Sequence, residues 1–272
     1  MQAQGFLHKM QAWLEQDQVQ YQLNWDVPLH VNALIGQKVR FVVTGKKQCI
    51  GCGRSINKTF QQGYCYPCVI SKAACDLCIV RPERCHFHLG TCREPEWGEQ
   101  HCMQRHIVYL ANASGLKVGI TRKENIPSRF IDQGAVQALP LFEVTSRYHS
   151  GLIEVLLAQH LSDKTNWRKM LQGQPERLDL KRHAVEIKAL LAPQLESLVR
   201  QYAIECTEWT GPVLEFSFPV RRYPAKIVSY SLDRSSLIED ELLGVKGQYC
   251  LFEQGVLNLR AFSGYEVQIF NE

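Results

Sequence analysis

IVYLANASGLKVGITR (107–122) holds two β-branched, apolar runs, IVYLANAS (107–114) and GLKVGITR (115–122), that meet at Ser114-Gly115. Two such runs joined at a small residue and a glycine read as a β-hairpin. Downstream, IPSRFIDQG (126–134) carries a proline in its first turn and stops at Gly134, the punctuation of a short helix. LPLFEVTS (139–146) reads as a third strand. Ser150 stands in a capping position for a helix over LIEVLLAQHL (152–161), with Leu152, Ile153, Leu156 and His160 on one face. Residues 107–165 thus predict a small α/β unit.

Upstream of the hairpin the chain changes character. Of the eleven cysteines in the protein, nine fall between Cys49 and Cys102, and ten of the 58 residues from 49 to 106 are Leu, Ile, Val or Phe. That is below the ~20% at which a segment can build an apolar core. An odd number of cysteines with no export signal argues for metal ligation over a disulfide framework. Cys49-Ile-Gly-Cys52 and Cys65-Tyr-Pro-Cys68 are two CxxC pairs twelve residues apart. Each pair can wrap two thiolates around one ion, and two pairs supply the four soft ligands of a structural zinc. Cys75, Cys78, Cys92 and Cys102 are the candidate ligands of a second zinc. Cys85 or His86 can replace one of them, His88, His101 and His106 lie nearby, and an iron–sulfur cluster accepts the same thiolates. Four-ligand coordination leaves no position for water, so both ions are expected to be structural. Cys206 and Cys250 read as plain core residues.

The flanks are less committed. Residues 1–48 contain two strand-like stretches, VQYQLNW (19–25) and KVRFVVTG (38–45). Residues 166–205 read as amphipathic helix interrupted at Pro193. Residues 206–272 return to strands, among them KIVSYSL (226–232), punctuated by Gly244, Gly247, Gly255 and Gly264, which suggests a small antiparallel barrel that the N-terminal strands complete. The fold class is α+β: an N-terminal β segment (1–48), a cysteine-rich metal-binding region (49–106), the α/β unit (107–165), a helical segment (166–205) and a C-terminal β domain (206–272). The whole chain, 272 residues with 45% hydrophobic and 21% charged residues and a net charge of +4, has the composition of a globular protein. It lacks an ~18-residue apolar run and the apolar core of a signal peptide, so a cytoplasmic location is expected. The mild positive charge permits a nucleic-acid partner.

The order of residues from 107 to 161 resembles the GIY-YIG nuclease superfamily, in the branch whose second motif reads KIG. Ile107-Val108-Tyr109 ends in the tyrosine of the first motif, Lys117-Val118-Gly119 stands at the second, Arg129 lies in the following helix, and Glu154 lies in the helix after the third strand. The whole chain also resembles an uncharacterised bacterial family that joins such a segment to a cysteine cluster (here HFHLGTCREPEWGEQHC, 86–102) and ends in a glycine-punctuated β region. The superfamily resemblance implies phosphodiester hydrolysis, with Glu154 holding one Mg²⁺ or Mn²⁺, Arg129 at the phosphate and Tyr109 positioning or deprotonating the attacking water. Such chemistry needs a deprotonated water, a divalent cation and a cation at the phosphate. Asn166 matches a late asparagine of some members.

Lys117 departs from the commonest motif, in which a tyrosine occupies its place. An ammonium with an ordinary pKa near 10.4 is no base at neutral pH. It becomes one where burial or Arg129 lowers that value; otherwise it anchors phosphate. Each residue also has a structural alternative: a core tyrosine, an exposed strand lysine, an Arg129–Asp132 pair, and a solvated glutamate opposite the apolar stripe of its helix. Two functions follow. One is a divalent-metal-dependent nuclease acting on DNA or RNA, with zinc modules engaging the substrate. The other is a non-catalytic zinc protein that binds nucleic acid, RNA among the choices. What separates them is whether Tyr109, Lys117, Arg129 and Glu154 meet in one cleft.

Overall fold

The apolar run at 107–111 becomes the centre of a sheet. In the computed structural model, which describes residues 2–271, strand β6 (His106–Asn112) is buried at every position. Successive side chains of a strand point to opposite faces. Ile107, Tyr109 and Ala111 therefore enter one core, while Val108 and Leu110 enter another. Strand β7 (Leu116–Arg122) pairs with β6 from Asn112↔Leu116 to His106↔Arg122, so the hairpin turns at Gly115, where φ is +137°. Strand β8 (Gln137–Val144) lies on the other side of β6, and the short β9 (Cys206–Glu208) and β10 (Leu214–Glu215) pair with β8.

One face of this sheet is covered by α4 (Arg147–Ala158) and α6 (Leu180–Gln201), which bury Ile153, Leu157, Ile187 and Leu191 against Val108 and Leu110. Two expectations are corrected here. Helix α4 is capped by Ser146, whose side chain accepts from the His149 amide at 3.2 Å; Ser150 lies inside the helix, buried, donating to the Arg147 carbonyl at 2.8 Å. Helix α6 runs through Pro193 without a break. Proline there removes one helical hydrogen bond, and its exposed position lets water serve the freed carbonyl while the apolar stripe on either side holds the axis.

The opposite face carries α3 (Ser128–Asp132) and a six-stranded sheet in the order β1 (Gln2–Phe6), β14 (Tyr265–Asn271), β5 (Lys38–Lys47), β11 (Leu237–Lys246), β12 (Tyr249–Phe252), β13 (Val256–Asn258). Strands from both ends of the chain thus share one sheet. The sheet is open, not the barrel that the glycine spacing suggests. Its edges, β1 and β13, do not pair: β13 is three residues long, turns at once into the 3₁₀ segment Leu259–Phe262, and has the Val228–Tyr230 backbone on its free side. The stretch KIVSYSL supplies only that edge contact and no named strand among the described residues. A three-stranded sheet, β2 (Gln11–Glu15), β3 (Gln18–Leu23) and β4 (Leu29–His30), completes the mixed α/β architecture with helices α1 (Tyr66–Ser71), α2 (Pro95–His101) and α5 (Trp167–Leu171).

Residues 49–106 contain α1, α2 and 3₁₀ turns but no named strand of their own. The turn Pro82–Arg84 lies directly on α4, and the contact depends on Gly151: a Cβ there would sit 2.5 Å from the Glu83 nitrogen and 2.6 Å from the Pro82 carbonyl carbon. Backbone cannot yield as a side-chain tip can. Gly151→Ala is expected to cost about 1–3 kcal/mol, the range for overpacking. Urea denaturation would register this as a lowered midpoint at unchanged slope, and an unchanged midpoint would show that the turn does not press on the helix.

Candidate functional site

Four residues singled out by the hairpin and its neighbours are held on different elements. Tyr109 pairs across the hairpin with Gly119, and Lys117 pairs with Ala111. Cross-strand partners point the same way, so Tyr109 and Lys117 leave the sheet on the same face. Gly119 is what makes room for the tyrosine ring. A Cβ at 119 would come within 2.7 Å of Tyr109 Oη. The glycine of Lys117-Val118-Gly119 is therefore a packing requirement of the buried tyrosine.

Helix α3 lies over that face, with the Phe130 ring edge-on to Tyr109 at 4.7 Å between centroids. Arg129 and Gln133, four residues apart, extend from the same side of it. Gln133 joins the cluster: its Nε2 donates to Tyr109 Oη at 2.6 Å, and its Oε1 accepts from Lys117 Nζ. Arg129 also donates to the Tyr109 hydroxyl. The expected Arg129–Asp132 pair is not formed. The Asp132 carboxylate is taken by Lys9 at 2.5 Å and by Gln248 at 2.9 Å.

Glu154 reaches the cluster from α4, which packs on β7. Its helical position alone would leave it in solvent. The turn at Pro82–Arg84 covers that side of α4 instead, and Glu154 is half-buried. The segment after α4 returns to the β7 edge, where the Val118 amide donates to the Ser162 carbonyl at 2.8 Å, and so brings Asp163 near Lys117 and Glu154. Asn166 caps α5 through a bond from the Lys169 amide at 3.1 Å. Trp167 stacks on Tyr249 at 5.7 Å.

Burial sets the electrostatics. It lowers Lys117 to about 8, helped by the positive charge of Arg129 and opposed by Glu154 and Asp163. It raises Glu154 to about 7, where Asp163 and Glu83 add to the effect and Arg129 and Arg147 oppose it. Burial likewise pushes the Tyr109 hydroxyl up, against the charge and hydrogen bond of Arg129 and the bond from Gln133. All three shifts favour the neutral form, as a site withdrawn from water requires. Tyr109, Lys117 and Arg129 are linked through Gln133 and the tyrosine hydroxyl, and Glu154 acts on them through its charge. The residues that sequence reading missed, Gln133 and Asp163, carry different signals. The i, i+4 spacing from Arg129 could have revealed Gln133; Asp163 depends on a chain return that has no local signature.

The cysteines form two groups. Cys49, Cys52, Cys65 and Cys68 place their sulfurs within 4.8 Å of one another and can hold a metal ion such as zinc. Backbone amides already point at one of them: Cys65 donates to Cys49 Sγ at 3.1 Å and Gly51 at 3.4 Å. Burial opposes ionisation of Cys49, but the amides of Cys65, Gly51 and Cys52 outweigh it and lower the thiol to about 6. A preformed thiolate is what a soft cation needs.

The second group differs from expectation in one member. Cys78, Cys85, Cys92 and Cys102 ring a void of about 10 Å³ closed by Phe87 and Trp97. Cys85 is held low by bonds from Cys102 and Cys78, and those two thiols are pushed up in turn by Cys85 and by burial. Cys75, expected in this set, faces the first group instead and feels Cys49 and Cys65. Cys75 closes the 3₁₀ turn Ala73–Cys75, whereas Cys78 lies in the next one, Leu77–Ile79. Asp76, Cys78 and His86 also approach one another. The Asp76 carboxylate is neutralised by Arg93 at 2.7 Å and accepts from the Cys78 amide at 3.2 Å, while His86 Nδ1 meets Thr91 Oγ1 at 2.7 Å. His88 packs on Tyr148, His101 stacks on Trp97, and His106 Nδ1 donates to the Gln104 carbonyl.

The second group is fastened to α4. The Arg147 amide donates to the Cys102 carbonyl at 2.7 Å, and its buried guanidinium donates to the carbonyls of Cys78 at 3.3 Å and Ile79 at 2.5 Å. Metal binding by the first group has a direct readout. Cys65→Ser is expected to remove one equivalent of zinc by elemental analysis, whereas Cys75→Ser is expected to retain the wild-type stoichiometry. Equal zinc content in wild type and Cys65→Ser would rule the first four thiols out as a site.

No curated protein and no solved structure matches the chain. The family described as protein of unknown function (DUF2797) matches residues 36–267, a span that takes in both cysteine groups and the whole Tyr109 cluster, and the chain belongs to that family.

Proposed function

We propose that the protein is a divalent-metal-dependent hydrolase of nucleic-acid phosphodiesters, arranged as in the GIY-YIG nucleases, and that its two cysteine groups each hold a structural zinc. The observation that supports this reading is that Gln133 bridges Tyr109 and Lys117 while Arg129 bonds to the Tyr109 hydroxyl and the charge of Glu154 reaches both Tyr109 and Lys117. A lysine, an arginine, a tyrosine and a carboxylate within reach of one another's charges offer a base, a phosphate ligand and a metal ligand together.

The donor set fits a hard divalent cation. Glu154 has its charge disfavoured by burial, Asp163 and Glu83, and a cation relieves that repulsion. Mg²⁺ is commonly bound through one or two carboxylates, the remaining positions going to water and phosphate oxygens. Bound at Glu154, the ion would supply charge neutralisation at the phosphoryl group. Arg129 presents a planar fork of donors to the phosphate. Lys117, brought to about 8, is partly neutral at neutral pH and can take a proton from water, the role that an ordinary lysine could not fill. Tyr109, raised by burial and already accepting from Gln133 and Arg129, orients groups in place and is the poorer base.

A second reading, a non-catalytic nucleic-acid-binding protein, draws support from Tyr109 Oη, which already accepts from Gln133 and Arg129. Cleavage assays decide between the two. Purified protein with Mg²⁺ or Mn²⁺ is expected to cut plasmid or RNA, and Glu154→Ala to lower the rate by about 10²-fold or more, the scale of losing an electrostatic stabiliser. Because Lys117 must be neutral to accept a proton, the rate should climb as pH passes through about 8 and level off above it. Lys117→Arg, whose charge persists, should abolish that rise. Salt-sensitive binding without cleavage selects the second reading. Cys85→Ser should remove one further equivalent of zinc.

A further inference from the structure

Trp167, the first residue of α5, lies parallel to Tyr249 of β12, with 6° between the ring planes and 5.7 Å between centroids. The guanidinium carbon of Arg168 stands over the indole at 4.3 Å. Both rings are half-buried, so the stack keeps an open side, and Arg168 is exposed. The run from Lys164 to Lys169 holds three cations and no acid. All three are exposed, and among the described residues none is in an ion pair.

Close contacts fasten this stack to the elements that carry the Tyr109 cluster. The Asn166 amide donates to Ser114 Oγ in the hairpin turn at 3.0 Å. Met170, one turn further along α5, is buried on Gly134, its sulfur taking the place that a Cβ there would need, and Gly134 directly follows Gln133. The turn that leads into Tyr249 presses on the same spot: a Cβ at Gly247 would lie 3.0 Å from the Asp132 carbonyl oxygen and 3.4 Å from the Gly134 nitrogen. Lys246, before that turn, donates to the Gly173 carbonyl at 3.0 Å and holds the end of α5 against β11. The stack therefore sits beside the C-terminal end of α3, the helix that carries Arg129 and Gln133. Aromatic rings beside unneutralised cations are the two parts of a single-strand platform, the rings stacking on bases of any identity and the cations meeting phosphates. Arginine serves both parts, because its planar head stacks on a ring and pairs with phosphate.

We propose that Trp167 and Arg168 are the stacking platform for an unpaired base beside the Tyr109 cluster, which makes single-stranded nucleic acid the ligand class. This rests on the nucleic-acid reading above and narrows it. Bases stacked inside a duplex have no free face to offer a ring, whereas a single strand can splay one out onto an aromatic side chain.

The test is fluorescence anisotropy of the full chain with a labelled RNA of about 12 nucleotides, within the span of single-strand sites, the matching DNA strand, and the duplex. Single strands are expected to bind more tightly than duplex. Trp167→Leu should weaken single-strand binding about tenfold, the worth of one base–aromatic stack, and leave the salt slope unchanged. Trp167→Tyr, which keeps a ring, should recover most of that loss. Arg168→Ala, a change at an exposed position, should lower the slope of log affinity against log salt by about 0.7, the share of one single-strand phosphate. Tighter binding of the RNA than of the DNA strand would assign the ligand to RNA, and the reverse to DNA; either supports the proposal. Duplex binding equal to single-strand binding, or wild-type single-strand affinity in Trp167→Leu, would overturn the platform and leave the broader reading intact. So would a loss that Trp167→Tyr does not recover while Arg168→Ala keeps the wild-type slope. No binding of any probe by the wild-type chain would overturn both.

Discussion

Arg147 ties the helix that carries Glu154 to the backbone of a segment that has almost no apolar core. Its amide bonds to Cys102 and its side chain to the carbonyls of Cys78 and Ile79. The buried clusters of residues 49–106 are built on sulfur: Cys49, Cys65 and Cys68 in one, and Cys78, Cys85 and Cys102 in another, joined by a few aromatic rings. A metal ion held by the first four thiols would add an apparent ~10–16 kcal/mol, the scale seen in isolated zinc modules. That segment in turn places the Pro82–Arg84 turn over α4. The cysteine groups are thus more than an appendage to the Tyr109 cluster. They form one wall of its surroundings.

The chemistry of the cluster follows from the dryness this produces. Lys117 falls to about 8 and Glu154 rises to about 7, opposite movements with one cause, the cost of holding a charge away from water. Gln133 allows the arrangement to persist without an acid–base pair, because its amide offers an acceptor to the lysine and a donor to the tyrosine at once. A carboxylate in that position would draw the lysine back toward its ordinary value. The neutral bridge is therefore as consequential as the charged residues around it.

Much of the local structure was legible. The hairpin at 107–122, the short helix ending at Gly134 and the third strand follow from residue patterns that act over a few positions. So does the pairing of Cys49 and Cys52 with Cys65 and Cys68, because CxxC geometry is local. The misplaced features have non-local causes. Ser146 outcompetes Ser150 as a cap because the Cys102 carbonyl fastens Arg147 into the first turn. The open sheet reflects where β13 ends and what flanks it, not the glycine spacing that suggested closure. Cys85, not Cys75, lines the void with Cys78, Cys92 and Cys102, a grouping made by chain returns from residue 78 to residue 102.

From its amino acids alone this chain determines which short segments are strands and that the two CxxC pairs can come together. Those are properties of neighbours along the backbone. Whether Glu154 faces solvent or a protein wall, and how far the Lys117 ammonium is withdrawn from water, were decided only when segments distant along the chain packed together. Desolvation and charge–charge repulsion depend on distance through space, and no pattern along the chain encodes that distance.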